Sequence, residues 1–478
     1  MRQIDSRWRV LLMLAVVSWA AVAPTLAADG GGDRAMVERI FRSALEAGRT
    51  YELLGELCRL HPHRLSGSPQ AAAAERWALR TMERHGLAAR LQAVTVPYWE
   101  RGEVMEARVR TEGGSEPLTA LALGGSVGTP ATGLIAPVVE VSSFEQLEGL
   151  GREGVAGRIV FFNRPLDAGA VRHFEAYVGA ADQRVSGASQ AARFGAVAAL
   201  VRSLSFRDDD HPHTGGMRYD DGVPRIPAAT LSVRAADRLS ALLVESPELE
   251  VVLRMDSRPL ADRVAHNVIG EVRGSVHPDE YVVIGAHFDS WDVGEGAHDN
   301  GAGSMQALEA VNLLRRLGYE FRRSVRVVLY ANEEYLVGEP FRGGRVYAEA
   351  ARDLGERHYA GIETDAGAFT PRGFGVEASP AQRERVRSWL DHFDTESTVH
   401  YVDDEGGGPD MWALNELLGT PLFDLRTDTQ RYLDYHHSPR DTFDQISRRE
   451  LELGTAAMAS LLYLIDRRGL DGAAEATE

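Results

Sequence analysis

The stretch Tyr281-Val-Val-Ile-Gly-Ala-His287-Phe-Asp289 runs from an apolar strand straight into polar residues, and the same punctuation recurs downstream. Val325 to Tyr330 is followed by Ala331-Asn-Glu333-Glu334, and Tyr359 to Glu363 by Thr364-Asp365. Short β-branched runs bounded by such breaks read as buried strands. Helical periods lie among them, at Ser304 to Leu317 and Arg383 to Phe393. The alternation predicts an α/β fold, a mixed central sheet with helices on both faces. Ligands of open α/β sheets bind beyond the carboxyl ends of the strands. His287, Asp289, Glu333, Glu334 and Asp365 are therefore expected in one crevice, completed by the loop residues Asp299 and His437.

The chemistry follows from the residue types. His287, Asp299, Glu334, Asp365 and His437 form a donor set suited to two borderline divalent ions, one carboxylate bridging and each ion keeping two further ligands. Asp299 is the expected bridge, because the glycines of Gly294-Glu-Gly-Ala-His-Asp-Asn-Gly-Ala-Gly303 let the loop bend one carboxylate toward both ions. One ion then takes His287 and Asp365, the other Glu334 and His437. Asp289 is expected to accept the second ring N–H of a ligand histidine and fix its tautomer. Neighbouring side chains at a strand end point in different directions, which separates Glu334 as ligand from Glu333 as general base. A water bridging two ions gives up a proton readily; Glu333 takes it and passes it to a departing amine, the chemistry of amide hydrolysis. His436 is placed to hydrogen-bond the oxyanion.

Taken singly, each of these residues is more often structural than functional; their joint placement after successive strands selects the functional reading. His298 and His400 lack a matching partner and read as structural. Asp410, in Gly406-Gly-Gly-Pro-Asp410 beside Trp412, reads first as a helix N-cap and second as shaping the cleft.

Outward from this region the texture changes. From Arg34 to about His85 the pattern is helical, broken at His61 to Pro69, where Ser68 and Pro69 mark a helix start. Residues 91–110 read as strands. Residues 118–257 show short β-runs between glycine turns, with a small-residue helix at Ser186 to Phe194, and are expected as a β-rich insert without chemistry of its own. The peptidase domain is then divided into residues 29–117 and 258–470, with a flexible tail at 471–478. At the N-terminus, Arg2, Arg7 and Arg9 precede the apolar run Val10 to Ala23 and small residues at Ala27 and Ala28. This is the layout of a signal peptide, residues 1–28, and the run is shorter than the ~20 residues a spanning helix needs. Export to a periplasmic or extracellular compartment is expected, with no stable membrane insertion afterwards.

Loss of the leader takes the net charge from −18 to about −20. That surface excludes nucleic acid and anionic lipid as partners, since both need a basic footprint. The single cysteine, Cys58, excludes an intrachain disulfide and cysteine-based zinc sites, and within Tyr51-Glu-Leu-Leu-Gly-Glu-Leu-Cys58 it reads as a core residue.

The segments Ala286 to Gly303, Ala331-Asn-Glu-Glu334, Glu363-Thr-Asp-Ala-Gly367 and Tyr435-His-His-Ser-Pro-Arg-Asp-Thr442 resemble the carboxypeptidase Q branch of the co-catalytic zinc exopeptidases, a family that includes bacterial zinc aminopeptidases. So do Arg64-Leu-Ser-Gly-Ser68, Val96-Pro-Tyr-Trp-Glu-Arg-Gly102 and Asp221-Gly-Val-Pro-Arg-Ile-Pro227, which extends the resemblance over nearly the whole mature chain. The resemblance implies that the insert is a protease-associated domain, that both ions are zinc, and that the protein is a homodimer cleaving dipeptides or short peptides. Every ligand position has its matching residue; His298, Asn300 and Pro439-Arg440 depart from the pattern and bear on substrate preference. Three alternatives stay open: an aminopeptidase of the same family, a glutaminyl-cyclase-like acyltransferase, and a non-catalytic receptor-like protein.

Overall fold

The computed structural model describes residues 30–335, 338, 340–394 and 398–471. The leader expected at 1–28 and the tail from residue 472 lie outside the described residues.

Three helices, α1 (Gly30–Ala47), α2 (Thr50–Leu60) and α3 (Pro69–Arg84), lead into β1 (Ala88–Glu100). The start of α3 is where its sequence signals it: Ser68 accepts the Ala71 N–H at 3.0 Å and Pro69 occupies the first turn. The chain then enters a second sheet. Its strands are β2 (Met105–Thr111), β3 (Gly114–Pro117), β4 (Ala120–Ala122), β5 (Leu134–Val141), β6 (Ile159–Phe162), β7 (Ala198–Arg202), β8 (Ala228–Leu231) and β9 (Glu250–Met255). Helices α4 (Phe144–Val155), α5 (His173–Val185), α6 (Gly187–Arg193) and α7 (Val233–Glu245) accompany them.

β10 (Arg258–Val272) returns to the first sheet, followed by β11 (His277–His287), α8 (Ala302–Arg316), β12 (Arg323–Tyr330), α9 (Arg342–Asp353), β13 (Arg357–Glu363), β14 (Pro371–Glu377), α10 (Pro380–Ser388), β15 (Tyr401–Asp403), α11 (Trp412–Leu418), β16 (Leu422–Thr427) and α12 (Arg448–Arg468).

The first sheet has the order β1-β10-β12-β11-β13-β16-β14-β15. β12, β11, β13 and β16 are parallel, while β1, β10 and β14 pair antiparallel, so the sheet is mixed as expected. Every residue of β12 is buried, as parallel strands covered on both faces require. The second sheet has the order β3-β2-β9-β5-β6-β7-β8-β4. It takes in residues 105–117 as well, which the sequence reading groups with the N-terminal segment, because β2 pairs antiparallel with β9.

Helices α8 and α12 are central rather than superficial: Ala302 to Leu314 and Leu451 to Asp466 are buried without interruption. Their buried carboxylates are therefore matched by donors. Glu452 accepts from Thr50 Oγ1 at 3.0 Å and from the Tyr51 N–H at 3.1 Å. Asp466 accepts from Tyr319 Oη and from the N–H groups of Arg322 and Arg323, at 2.8 to 2.9 Å. Cys58 is buried in this core, and burial pushes its thiol pKa up to about 12.

The two sheets are joined by apolar contacts on both sides of the crevice. Leu65, Trp99, Trp291 and Tyr335 pack in one cluster with Phe161, Leu231, Leu239 and Leu253 of the second lobe. Phe369, Tyr432 and Tyr435 pack in another with Leu166, Ala176 and Leu204. Arg101 adds a polar tie. It stacks over Trp99 with 5.0 Å to the ring centroid, pairs with Asp292 at 3.0 Å, and donates to Ala122 O and Thr214 Oγ1 of the second lobe. No helix among the described residues is long and apolar enough to cross a membrane.

Because these clusters straddle the boundary, the lobes are expected to unfold in one calorimetric transition, and Tyr335→Ala, at a site only 2% exposed, to cost about 3 kcal/mol of that single transition. Two resolved transitions in the wild-type protein would contradict the coupling.

Candidate metal centre

β11, β12 and β13 run parallel and end together: His287 pairs with Tyr330, and Gly285 with Glu363. His287 is the last residue of β11, Glu333 and Glu334 follow β12, and Asp365 lies two residues past β13. Asp299 sits in the turn before α8, and His436 and His437 follow the short turn Tyr432–Asp434.

The structure brings these residues together. Nε2 of His287 lies 3.2 Å from Asp299 Oδ1 and 3.4 Å from Asp365 Oδ1. Nε2 of His437 lies 2.9 Å from Glu334 Oε2 and 3.5 Å from Asp299 Oδ2. Two donor groups result, His287 with Asp299 and Asp365, and Asp299 with His436 and His437, and Asp299 belongs to both. His436 stacks on His437 at 3.5 Å and places Nε2 3.8 Å from Asp299 Oδ2.

The supporting contacts differ in part from expectation. His287 Nδ1 is 3.0 Å from the backbone carbonyl of Asp289 but 3.8 Å from its carboxylate. The carboxylate of Asp289 instead accepts the N–H groups of Glu333, at 3.1 Å, and Glu334, at 3.4 Å, and so fixes the paired glutamates. The tautomer-setting acceptor is the main chain because the chain turns directly after β11 and brings that carbonyl back to the ring.

Three further residues hold the site, none of them singled out by sequence reasoning. Asp441 accepts the N–H of His298 at 2.6 Å and of Asp299 at 3.1 Å. Arg64, fully buried, donates to the carbonyls of Phe288 (3.0 Å), Glu295 (2.7 Å) and Gly296 (2.9 Å), clamping the loop that carries Asp299. Thr214 of the second lobe donates its N–H to His437 O at 2.8 Å. Asn332 and His437 both have φ near +60°, a region unfavourable for L residues, kept where the surroundings over-determine the backbone. Arg64 and Asp441 stand inside segments of family likeness, which was the available signal; nothing in the chain order joins 214 to 437.

His298 is structural as read: its ring stacks between Phe369 at 4.6 Å and Tyr435 at 4.9 Å, its Nδ1 accepts the Ala368 N–H, and burial lowers its pKa to about 3. His400 bonds the Thr398 carbonyl at 2.8 Å, at the β15 edge. Asp410 is not a cap. α11 begins at Trp412, and both Asp410 oxygens are buried without a hydrogen-bond partner. Burial raises its pKa to about 8.

Burial dominates the electrostatics. Glu333 and Glu334 are pushed well above the ordinary carboxylate range, first by burial and then by neighbouring acids such as Asp365 beside Glu333 and Asp299 beside Glu334. Burial opposes protonation of His287, but Asp365 and Asp299 outweigh it and raise its pKa. His287 Nε2, Asp299 Oδ2, Glu334 Oε1 and Asp365 Oδ1 are buried with no hydrogen-bond partner. Buried atoms of this kind in a histidine and carboxylate set fit divalent cations.

A mixed α/β sheet that ends in such a donor set, with Glu333 beside it, fits a metallopeptidase, and the relatives of the chain are peptidases. The profile of peptidase family M28 matches residues 267–462. Carboxypeptidase Q of Mus musculus is 32% identical over 421 residues, covering 87% of this chain and 85% of the relative. Its Xenopus laevis counterpart is 34% identical over 425 residues, covering 87% and 86%. A peptidase M28 precursor from Shewanella amazonensis SB2B superposes with a TM-score of 0.85 at 32% identity, over 91% of this chain and 96% of that one. A zinc aminopeptidase from Bacillus subtilis shares the fold, with a TM-score of 0.63 at 18% identity over 88% and 95%. The chain belongs to peptidase family M28.

In the metal-free protein above about pH 6.5, buried histidines with lowered pKa such as His298 and His358 are neutral whether folded or unfolded. Asp441, raised by burial to about 7, and Asp410, raised to about 8, still hold protons there that the unfolded chain has released. Stability is therefore expected to fall as pH rises from about 6.5 to about 8. A divalent ion at a thousandfold excess over its Kd should restore about 4 kcal/mol to the wild type and not to Asp299→Asn; thermal scans with and without chelator check both.

Proposed function

We propose that the protein is a two-zinc exopeptidase that hydrolyses dipeptides or short peptides and anchors them by the carboxyl end, as a dipeptidase or carboxypeptidase. The carrying observation is Arg184. This side chain of α5 is 5% exposed, has an Nε without a partner, and bonds only Tyr177 Oη (2.6 Å) and the Thr214 carbonyl (3.5 Å). Among the described residues it has no acidic partner. Its charge acts on His436 and His437, and His213 beside it is buried with both ring nitrogens unpartnered. A buried cation without a counter-charge is costly, and a substrate carboxylate is the anion that completes it. Gly215 makes room for the guanidinium, since a Cβ there would lie 2.5 Å from it.

His287 and Asp365 would hold one ion, Glu334 and His437 the other, and Asp299 would serve both. Divalent ions held there would acidify a water and polarise the scissile carbonyl. Zinc as the ion is supported by the zinc aminopeptidase that shares this fold. Glu333, whose burial makes it a stronger base than a surface carboxylate, takes the water's proton and delivers it to the departing amine. His436, kept neutral first by burial and then by Arg184, can donate one ring N–H to the oxyanion. Arg184 and Tyr177 hold the terminal carboxylate. The carboxypeptidase Q relatives support the carboxyl-end reading. The second lobe as a protease-associated domain, export after loss of residues 1–28, and a homodimer belong to the same reading and rest on the family likeness and the leader-like N-terminus.

Glu333→Gln is expected to lower kcat by at least ~10³-fold while two ions per chain remain. Arg184→Met is expected to raise KM for dipeptides by ~10²-fold and to leave cleavage of C-terminally blocked substrates unchanged. Steady-state assays with metal analysis decide both. Cleavage confined to blocked substrates in the wild type would instead establish an aminopeptidase.

A further inference from the structure

We infer that Trp412 and Phe341 form the subsite for the substrate side chain on the amine side of the scissile bond, and that this subsite selects large apolar or aromatic residues. The inference rests on the seating of the substrate carboxylate at Arg184.

Trp412 opens α11 and is 54% exposed, more than any other described aromatic side chain. An exposed indole would normally be free to turn, but this one is fixed. Its Nε1–H donates to Gly407 O at 3.2 Å, and the Phe341 ring meets it edge-on, with centroids 5.5 Å apart and planes at 81°. Phe341 holds φ at 55°, a left-handed conformation that a bulky residue adopts only under constraint. Directly after it, Arg342 donates to Thr95 O at 2.9 Å and Gly343 N–H to Ala331 O at 3.0 Å, which pins the turn. The backbone thus accepts an unfavourable conformation where it places one aromatic ring against another and leaves the indole face open.

The pair is carried by two segments that border the metal centre. Phe341 lies in the segment between β12, which is followed by Glu333 and Glu334, and α9. The Gly406–Asp410 loop crosses the end of β13, and a Cβ on Gly408 would lie 2.1 Å from the Glu363 carboxylate, two residues from Asp365. Asp410, two residues before Trp412, acts on Glu333 and on the His287 and Asp365 end of the donor set, whereas Arg184 acts on His436 and His437. A peptide held by its carboxylate at Arg184, with its scissile bond over Asp299, brings its amine-side residue toward the aromatic pair. An open indole flanked by a perpendicular phenyl ring offers an apolar face and a ring edge, the two surfaces that aromatic and branched aliphatic side chains pack against. Apolar subsites discriminate by roughly 10- to 200-fold per small change in side-chain size.

The test is kcat/KM for Phe-Ala, Leu-Ala and Gly-Ala, and for the p-nitroanilides of Phe, Leu and Gly, with the zinc-loaded wild type, Trp412→Ala and Trp412→Phe. The expected result is a Phe-Ala to Gly-Ala ratio that falls about tenfold in Trp412→Ala and is largely recovered in Trp412→Phe. An unchanged ratio, with or without a uniform loss of rate, overturns the subsite. If dipeptides are inert and the anilides show the same Trp412-dependent ratio, the subsite stands and the carboxyl-end reading falls. If dipeptides are cleaved with no dependence on Trp412, the reverse holds.

Discussion

The structure is organised around a concentration of buried acid. Asp289, Asp299, Glu334, Glu363, Asp410 and Asp441 are each less than 5% exposed within one end of the sheet, and the cations that could offset them from the chain itself are few. Carboxylates gathered in a low-dielectric interior repel one another and resist ionising. The chain answers with backbone rather than with basic side chains. Asp289 and Asp441 spend their lone pairs on N–H groups of the loops that carry Glu333, Glu334 and Asp299, and Arg64 closes on carbonyls. Asp299, Glu334 and Asp365 keep oxygens without donors where the two histidines converge, and Glu363 and Asp410 lie behind them with neither oxygen bonded. The same constraint ties down the loops of the site: those that carry Asp299, Glu333 and Glu334 are bonded by acids that need the donors.

It also explains the role of the second lobe. An insert tethered by flexible linkers would let water reach the crevice and would leave His437 without its partner. Here Trp291, just after β11, and Tyr335, just after β12, are sunk into the core of the second sheet, and Thr214 bonds the His437 carbonyl. None of the expected metal ligands belongs to the second lobe, yet it fixes the backbone at one and places beside them Arg184, which has no acidic partner among the described residues.

The α/β layout was legible because β11, β12 and β13 contain largely apolar runs, a pattern with few other readings, and because clusters of polar residues follow their carboxyl ends. Those breaks also exposed the ligand candidates. What escaped was whatever depends on main-chain geometry or on distant pairing. No side-chain pattern says that His287 bonds a carbonyl instead of the Asp289 carboxylate, or that the left-handed turn at His437 is held from residue 214. Asp410 followed glycines and a proline as caps do, but the helix starts two residues later and the carboxylate turns inward. β2 read as part of the same strand segment as β1, because alternation gives strand identity and not the sheet a strand joins.

The pairing of β1 with β10 sets Ala88 opposite Glu271, with the whole second lobe between them. As the chain leaves the ribosome or emerges from a membrane pore, β1 therefore waits with an unpaired edge until residues 105–255 have appeared. A loose segment of that length makes ring closure entropically expensive, whereas a folded lobe whose own ends, at β2 and β9, already lie side by side brings β1 and β10 together at little cost. The second lobe is thus a splint for assembly of the first, and the order in which the two condense decides how long an aggregation-prone strand edge stays exposed.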